Sequence, residues 1–149
     1  MAQHISGGPD EELATARRAA AAMEAADVAA REAGVRLLDV GPGQARVAMT
    51  VRPQHVNGHG ICHGGYLFLL ADAALAYASN SHGTSAVASG ADIAFLRPVA
   101  LGAELVAEAV ERALAGRSGL YDVTVRAGDA AVAEFRGRTR QVPGLAPPT

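Results

Sequence analysis

The sequence predicts an α+β domain, an antiparallel sheet of about six strands wrapped around a central apolar helix, with an extra helix at the N-terminus. Three observations carry that expectation. Residues 66–78 are apolar apart from Asp72, and a helix apolar on every side must be wrapped by protein. Four segments of period-two alternation follow it, separated by short turns. Two more precede it, on either side of a Gly-Pro-Gly turn. A chain of 149 residues suits one domain around one core.

Each element has its own signal. Residues from about Asp10 to Gly34 are rich in Ala, Glu and Arg, with Leu13, Met23 and Val28 as a modest apolar stripe. They read as one amphipathic helix, capped at Asp10 and ended by Gly34. The segments "VRLLDV" and "QARVAMTV" read as a hairpin through "GPGQ". Pro53, Gly58 and Gly60 make "RPQHVNGHGICHGG" a loop. The apolar helix runs from about Gly65 to Asn80 and ends at "SHG". The strands that follow are "SAVASGADIAFLR", "AELVAEAVERALA", "GLYDVTVRAG" and "AAVAEFRGRTRQV". Propensity alone would make the second of these a helix, but its strand neighbours and short flanking gaps favour a strand. In the last, Glu134, Arg136, Arg138 and Arg140 share one face, opposite Ala133, Phe135, Gly137 and Thr139. Residues 1–9 are expected to be a flexible N-terminus, 10–142 a single domain and 143–149 a flexible tail.

Composition excludes several function classes. Half the residues are hydrophobic and 19% are charged, which is a globular balance and not a disordered one. The net charge of −2, without a basic block, argues against nucleic acid as a partner. No apolar run is long enough to span a bilayer, so no membrane partner is expected, and the start lacks signal-peptide order. The single cysteine forms no internal disulfide, and a cytoplasmic location is the default. All 13 basic residues are Arg. Without Lys there is no Schiff base, lysine general base or Walker-type phosphate loop, and neither G-x-S-x-G nor G-x-G-x-x-G occurs.

Asp72 is the residue that asks for an explanation. A carboxylate at a buried helical position costs several kcal/mol unless compensated. The positions three and four residues away are Phe68, Leu69, Leu75 and Ala76, so no intrahelical partner exists. Upstream, "GHGICHGG" leads glycines into the helix start, where backbone N–H groups can converge on an anion or a developing oxyanion. His55, His59 and His63 are spaced four apart with Cys62 beside the last, but a loop does not line them up as zinc ligands, and no metal is expected. Polar loop histidines are the better reading, with His63 bonding a backbone carbonyl to brace the turn. Cys62 reads as a small buried hydrophobe and not as an activated nucleophile. Arg97 is a candidate for phosphate recognition, and the run Arg136, Arg138, Arg140 reads equally well as a solvated strand face.

The motif "HGGYLFLLAD" (His63, Gly64, Gly65 and Asp72 in an HGG-x6-D pattern), with "AVASGADIAFLRPV" after it, resembles the hotdog-fold acyl-CoA thioesterases. The branch it is most similar to is that of phenylacetic acid degradation, the PaaI type, over roughly residues 35–142. The resemblance implies a hotdog fold and hydrolysis of aryl- or acyl-CoA thioesters, with phenylacetyl or hydroxyphenylacetyl as the leading acyl group. It implies a catalytic carboxylate at Asp72 and a carbonyl-polarising amide at Gly64 or Gly65. Asn57 occupies the place of a polar amide that contacts the reacting group, with His63 beside it. Substrate contacts fall to Arg97, Phe95, Pro98 and Tyr66. Asp72 would act as general base or as nucleophile, and no cofactor beyond the coenzyme A of the substrate is implied. A hotdog hydratase or dehydratase, or a non-enzymatic acyl-CoA-binding protein, are the rival readings.

Gly65 and Asp72 lie seven residues apart, about 10.5 Å along a helix axis. One thioester carbonyl cannot meet both on one chain. Antiparallel helices about a two-fold axis would bring Asp72 of one copy to the helix start of the other. The hotdog resemblance likewise implies a homodimer with sites at the interface, paired further as a homotetramer.

Overall fold

The computed structural model describes residues 7–145, which are built on one six-stranded antiparallel sheet. The elements in chain order are α1 (Pro9–Ala26), α2 (Val28–Ala33), β1 (Arg36–Gly41), β2 (Gln44–Thr50), a 3-10 turn (Pro53–His55), α3 (Gly64–Asn80), β3 (Ala86–Phe95), β4 (Glu104–Ala115), β5 (Ser118–Ala127) and β6 (Ala130–Gln141). The strand order is β1-β2-β4-β5-β6-β3, so β1 and β3 are the free edges. This is the hotdog arrangement, with the sheet curled around α3. Of the termini expected to be flexible, 1–9 and 143–149, residues 1–6 and 146–149 lie outside the described residues, and Pro9 already belongs to α1.

The N-terminal segment departs from expectation in three respects. It is two helices, because Asp27 leaves helical geometry and its side chain caps α2 by accepting the N–H of Ala30 at 2.9 Å. The first cap is Gly8, with Pro9 in the first turn and Asp10 already helical, where its charge favours the positive end of the dipole. The buried stripe is Ala16 and Ala20, while Val28 is 58% exposed. Gly34 ends α2 as expected: its φ of +82° is the left-handed geometry that glycine reaches without strain.

The strands follow the alternation in the sequence. Leu105, Ala107 and Ala109 of β4 point inward, as do Tyr121, Val123 and Val125 of β5 and Ala133 and Phe135 of β6. They close over Leu67, Leu70, Ala71, Ala74, Leu75 and Ala78 of α3. On the outer face Asp122 bridges Arg112 and Arg136, and Asp92 meets Arg138, so two of the three arginines in the β6 run are paired across the sheet, as a solvated strand face would have them. Two of Asn80's side-chain bonds, with the N–H of Ala86 (3.0 Å) and its carbonyl (3.1 Å), tie the end of α3 to the start of β3.

The wrapping of α3 is incomplete within one chain. Gly65, Phe68, Leu69, Asp72 and Ala76 form a face that the sheet does not bury, and Phe68 is 37% exposed there. The sheet is wrapped around the central helix as expected, and this face of α3 stays open in the single chain. The sheet covers one side of the cylinder, and α1 and α2 cover only part of the other.

Candidate active site

The start of α3 is held by a small hairpin loop. Val56 pairs with Cys62, the N–H of Asn57 donates to the carbonyl of Ile61 (2.8 Å), and that of Cys62 donates to the carbonyl of Val99 (2.8 Å). The Asn57 side-chain oxygen accepts the N–H groups of His59 (2.9 Å) and Ile61 (3.3 Å), an Asx turn that shapes the loop. His63 caps the helix: its Nδ1 accepts the N–H of Gly65 at 2.9 Å. This corrects two expectations. The His63 ring accepts from an amide and does not donate to a carbonyl, and the Gly65 amide is taken by that ring. Gly64, the first residue of α3, donates no hydrogen bond among the described residues, so the open amide is that of Gly64.

A groove of about 430 Å³ opens beside that amide, lined by Asn57, Gly64, Leu67, Phe95, Arg97 and Pro98 among others. Five of the residues marked out in the sequence thus meet in one place. A Cβ on Gly64 would stand 2.9 Å from the tip of the Phe95 ring, so helix start and ring are in close contact here. Phe95 is itself 54% exposed. The Arg97 guanidinium bonds the carbonyl of Ala131, which holds it at the groove's rim. Tyr66 does not line the groove and packs instead on His55, with ring centroids 4.4 Å apart. The sequence reading missed Leu67 and Val99 as groove walls; Leu67, one turn beyond Gly64, carried a helical-spacing signal.

Asp72 stands two turns along α3, on the open face, half-buried. Burial, and secondarily the Asp27 carboxylate at the α1–α2 joint, push its pKa above the ordinary carboxylate value. No ion pair or hydrogen bond holds it among the described residues, which suits a base awaiting its proton. The loop histidines do not converge: His55 is buried, His63 caps α3, and no group of three or more metal-ligating side chains occurs among the described residues. Burial pushes the Cys62 thiol up, the reverse of an activated nucleophile. No helix among the described residues is long and apolar enough to cross a membrane.

A six-stranded antiparallel sheet curled over one side of a long apolar helix is the architecture of the hotdog thioesterase class. Comparison with known proteins agrees. The thioesterase superfamily model matches residues 59–134. The acyl-coenzyme A thioesterase PaaI of Escherichia coli is 44% identical over 124 residues, 83% of this chain and 89% of that protein. The structure of E. coli PaaI, from the phenylacetic acid degradation operon, superposes with a TM-score of 0.87 at 42% identity, covering 89% of this chain and 97% of that one. A variant of the phenylacetic acid degradation protein PaaI from Thermus thermophilus gives 0.74 at 40% identity, over 76% and 97%. A Streptococcus mutans protein bound to acetyl CoA gives 0.71 at 25% identity, over 73% and 89%. The chain belongs to the thioesterase superfamily.

Proposed function

We propose that this protein hydrolyses acyl-CoA thioesters, with aryl-acetyl groups such as phenylacetyl or hydroxyphenylacetyl as preferred substrates. The observation that carries the reading is that the Gly64 amide and the Asp72 carboxylate, both without partners among the described residues, occupy the start and the middle of one helix. The thioester carbonyl accepts the Gly64 N–H, whose alignment with the helix dipole stabilises the oxyanion as it forms. Asp72 removes a proton from water as that water attacks, and collapse of the tetrahedral intermediate expels coenzyme A as thiolate. Attack by Asp72 itself, to give an acyl anhydride that water then opens, uses the same groups. Arg97, at the groove's rim, meets a phosphate of the coenzyme, and no further cofactor takes part.

The site is completed by a second copy. Gly64 and Asp72 are eight residues apart, about 12 Å along the axis, too far for one carbonyl. The ten-residue edge of β3 has no partner on its outer side among the described residues, and such an edge is a template for pairing. Gly64 lies by Phe95 at one end of β3, and Asn80 bonds Ala86 at the other, so α3 runs antiparallel to β3. Two β3 strands paired about a two-fold axis therefore set two α3 helices antiparallel. Phe68 is midway between Gly64 and Asp72, so an axis near Phe68 brings each Asp72 to its neighbour's Gly64. That places Phe68, exposed in one chain, against its own copy. The dimers pair again as a tetramer, in a reducing cytoplasm suited to the lone thiol.

The test is turnover of a panel of acyl-CoAs followed by thiol release. Phenylacetyl-CoA and its hydroxylated relatives should be hydrolysed with higher kcat/KM than aliphatic substrates of similar size. A preference for aliphatic chains overturns the substrate assignment, and absence of any thiol release overturns hydrolysis.

A further inference from the structure

His55 has no task in the chemistry above, yet it is fully buried between the loop and the helix start. Its Nδ1 accepts the N–H of Arg52 at 3.0 Å. Its backbone carbonyl accepts the N–H of His63 at 2.7 Å. Its ring lies against Tyr66, in the first turn of α3, at 4.4 Å and 50°. These contacts join the chain leaving β2, the loop carrying Asn57 and the residue that caps α3. Nε2, by contrast, is buried without a well-formed hydrogen bond among the described residues, although the Ala33 and Thr50 carbonyls face the ring. A position that needed only volume would be filled better by Leu or Met, with no polar atom left unpaired.

With Nδ1 accepting, the neutral ring carries its proton on Nε2, a tautomer assigned from the hydrogen bonds. A second proton on Nδ1 would face the Arg52 N–H, donor against donor. The groups around the ring are the Arg52 charge from the start of the 3-10 turn, Tyr66 from α3, and the carbonyls of Ala33 from α2 and Thr50 from β2. Burial and then Arg52 oppose the charged form, and the two carbonyls only partly offset them, so the ring protonates below the ordinary histidine value.

We propose that neutral His55 is a positioning residue that holds the Asn57 loop and the Gly64 amide in place for hydrolysis, and that its protonation releases them. The proposal rests on the hydrolytic reading of the site and adds a second, acid-side control to it. Loss of activity on acidification then needs either of two protonations, at Asp72 or at His55. When both lie above the assay pH, the acid limb of log kcat/KM reaches a slope of two.

The test uses the whole protein and two variants, each checked for a folded state at every assay pH. His55→Asn keeps an acceptor for Arg52 but does not titrate. Its kcat/KM at pH 8 should stay within about threefold of wild type, and its limiting acid slope should fall from two to one. His55→Phe keeps the ring against Tyr66 without the acceptor. Its kcat should fall by about tenfold or more with little change in KM, since small misplacements of a reacting group are costly. The proposal is overturned if wild type and His55→Asn share one acid slope, or if His55→Phe turns over like wild type. A third readout is independent of catalysis: in NMR titration the Gly64 and Gly65 amide shifts should follow the midpoint of the His55 ring. Amides that ignore the His55 titration overturn the positioning role. If no acyl-CoA is hydrolysed but the amides do follow the ring, the hydrolytic reading fails and the mechanical link stands.

Discussion

One added methyl group at Gly64 should separate catalysis from folding. An alanine Cβ there would lie 2.9, 3.2 and 3.3 Å from three atoms of the Phe95 ring tip. Ordinary carbon contacts are about 3.5–4.0 Å, so the ring must retreat by about half an ångström to one ångström. Phe95 is more than half exposed at the end of an edge strand and can do so cheaply. Gly64 has no positive φ, so alanine meets no backbone strain, and a helix gains up to about 1 kcal/mol from Gly→Ala. Stability should thus change by less than about 1 kcal/mol, or about 2–4 °C in Tm for a chain near this size. Catalysis has no such latitude. The methyl occupies the space beside the amide that a thioester carbonyl must approach to about 3 Å. A misplacement of about 1 Å costs on the order of a hundredfold, and kcat/KM of Gly64→Ala should fall by about that factor. Thiol release from the best acyl-CoA substrate and scanning calorimetry measure the two quantities. If Gly64→Ala hydrolyses within about threefold of wild type, the Gly64 amide is not the carbonyl-polarising group.

Asp72→Asn should lower hydrolysis by about a hundredfold or more, the scale of losing a positioned base, as thiol release will show. The folded state raises the Asp72 pKa, so wild type loses stability as pH rises from the ordinary carboxylate value through that raised value. The variant should therefore unfold at higher temperature than wild type at pH 7, with the advantage fading below about pH 4. Asp122 is held at about 2, foremost by its hydrogen bond from Arg136, so it stabilises the fold above the ordinary carboxylate range and loses that contribution as pH falls through about 2. Arg136→Ala should shift acid unfolding, followed by circular dichroism, to higher pH. Cys62→Ser and prolonged chelation should each leave thiol release within about twofold of wild type; restoration by zinc after loss would revive a metal role for the loop histidines.

Most of the architecture was legible because alternation and turn chemistry agree along the chain. In "ELVAEAVERALA" the alternating Leu105, Ala107 and Ala109 outweighed helix propensity, since that face packs on α3. The break at Asp27 was hidden by an alanine-rich run on both sides, although an Asp three residues before a helical N–H is itself a cap signal. At the site, Asn57 and Gly64 came from the resemblance to the hotdog thioesterases, and Arg97 from the match of a guanidinium to phosphate. Which helix-start amide is open was not legible, because that depends on the rotamer by which His63 claims Gly65. The role of His55 was equally hidden, since its value comes from contacts with Arg52, His63 and Tyr66 that only the folded loop creates. The open face of α3 was not legible because periodicity reports that a face is apolar, not whether its own chain covers it.

The shared site is the central claim, and mixed dimers test it most directly. Asp72→Asn and Asn57→Ala, each inactive alone, would be unfolded together and refolded as a mixture. If each site takes Asn57 and Gly64 from one chain and Asp72 from the other, random pairing restores both wild-type halves in about a quarter of sites, one half times one half. The account predicts hydrolysis near a quarter of the wild-type level, appearing only in the mixture. Verified mixed dimers that stay as inactive as the separate variants would contradict it.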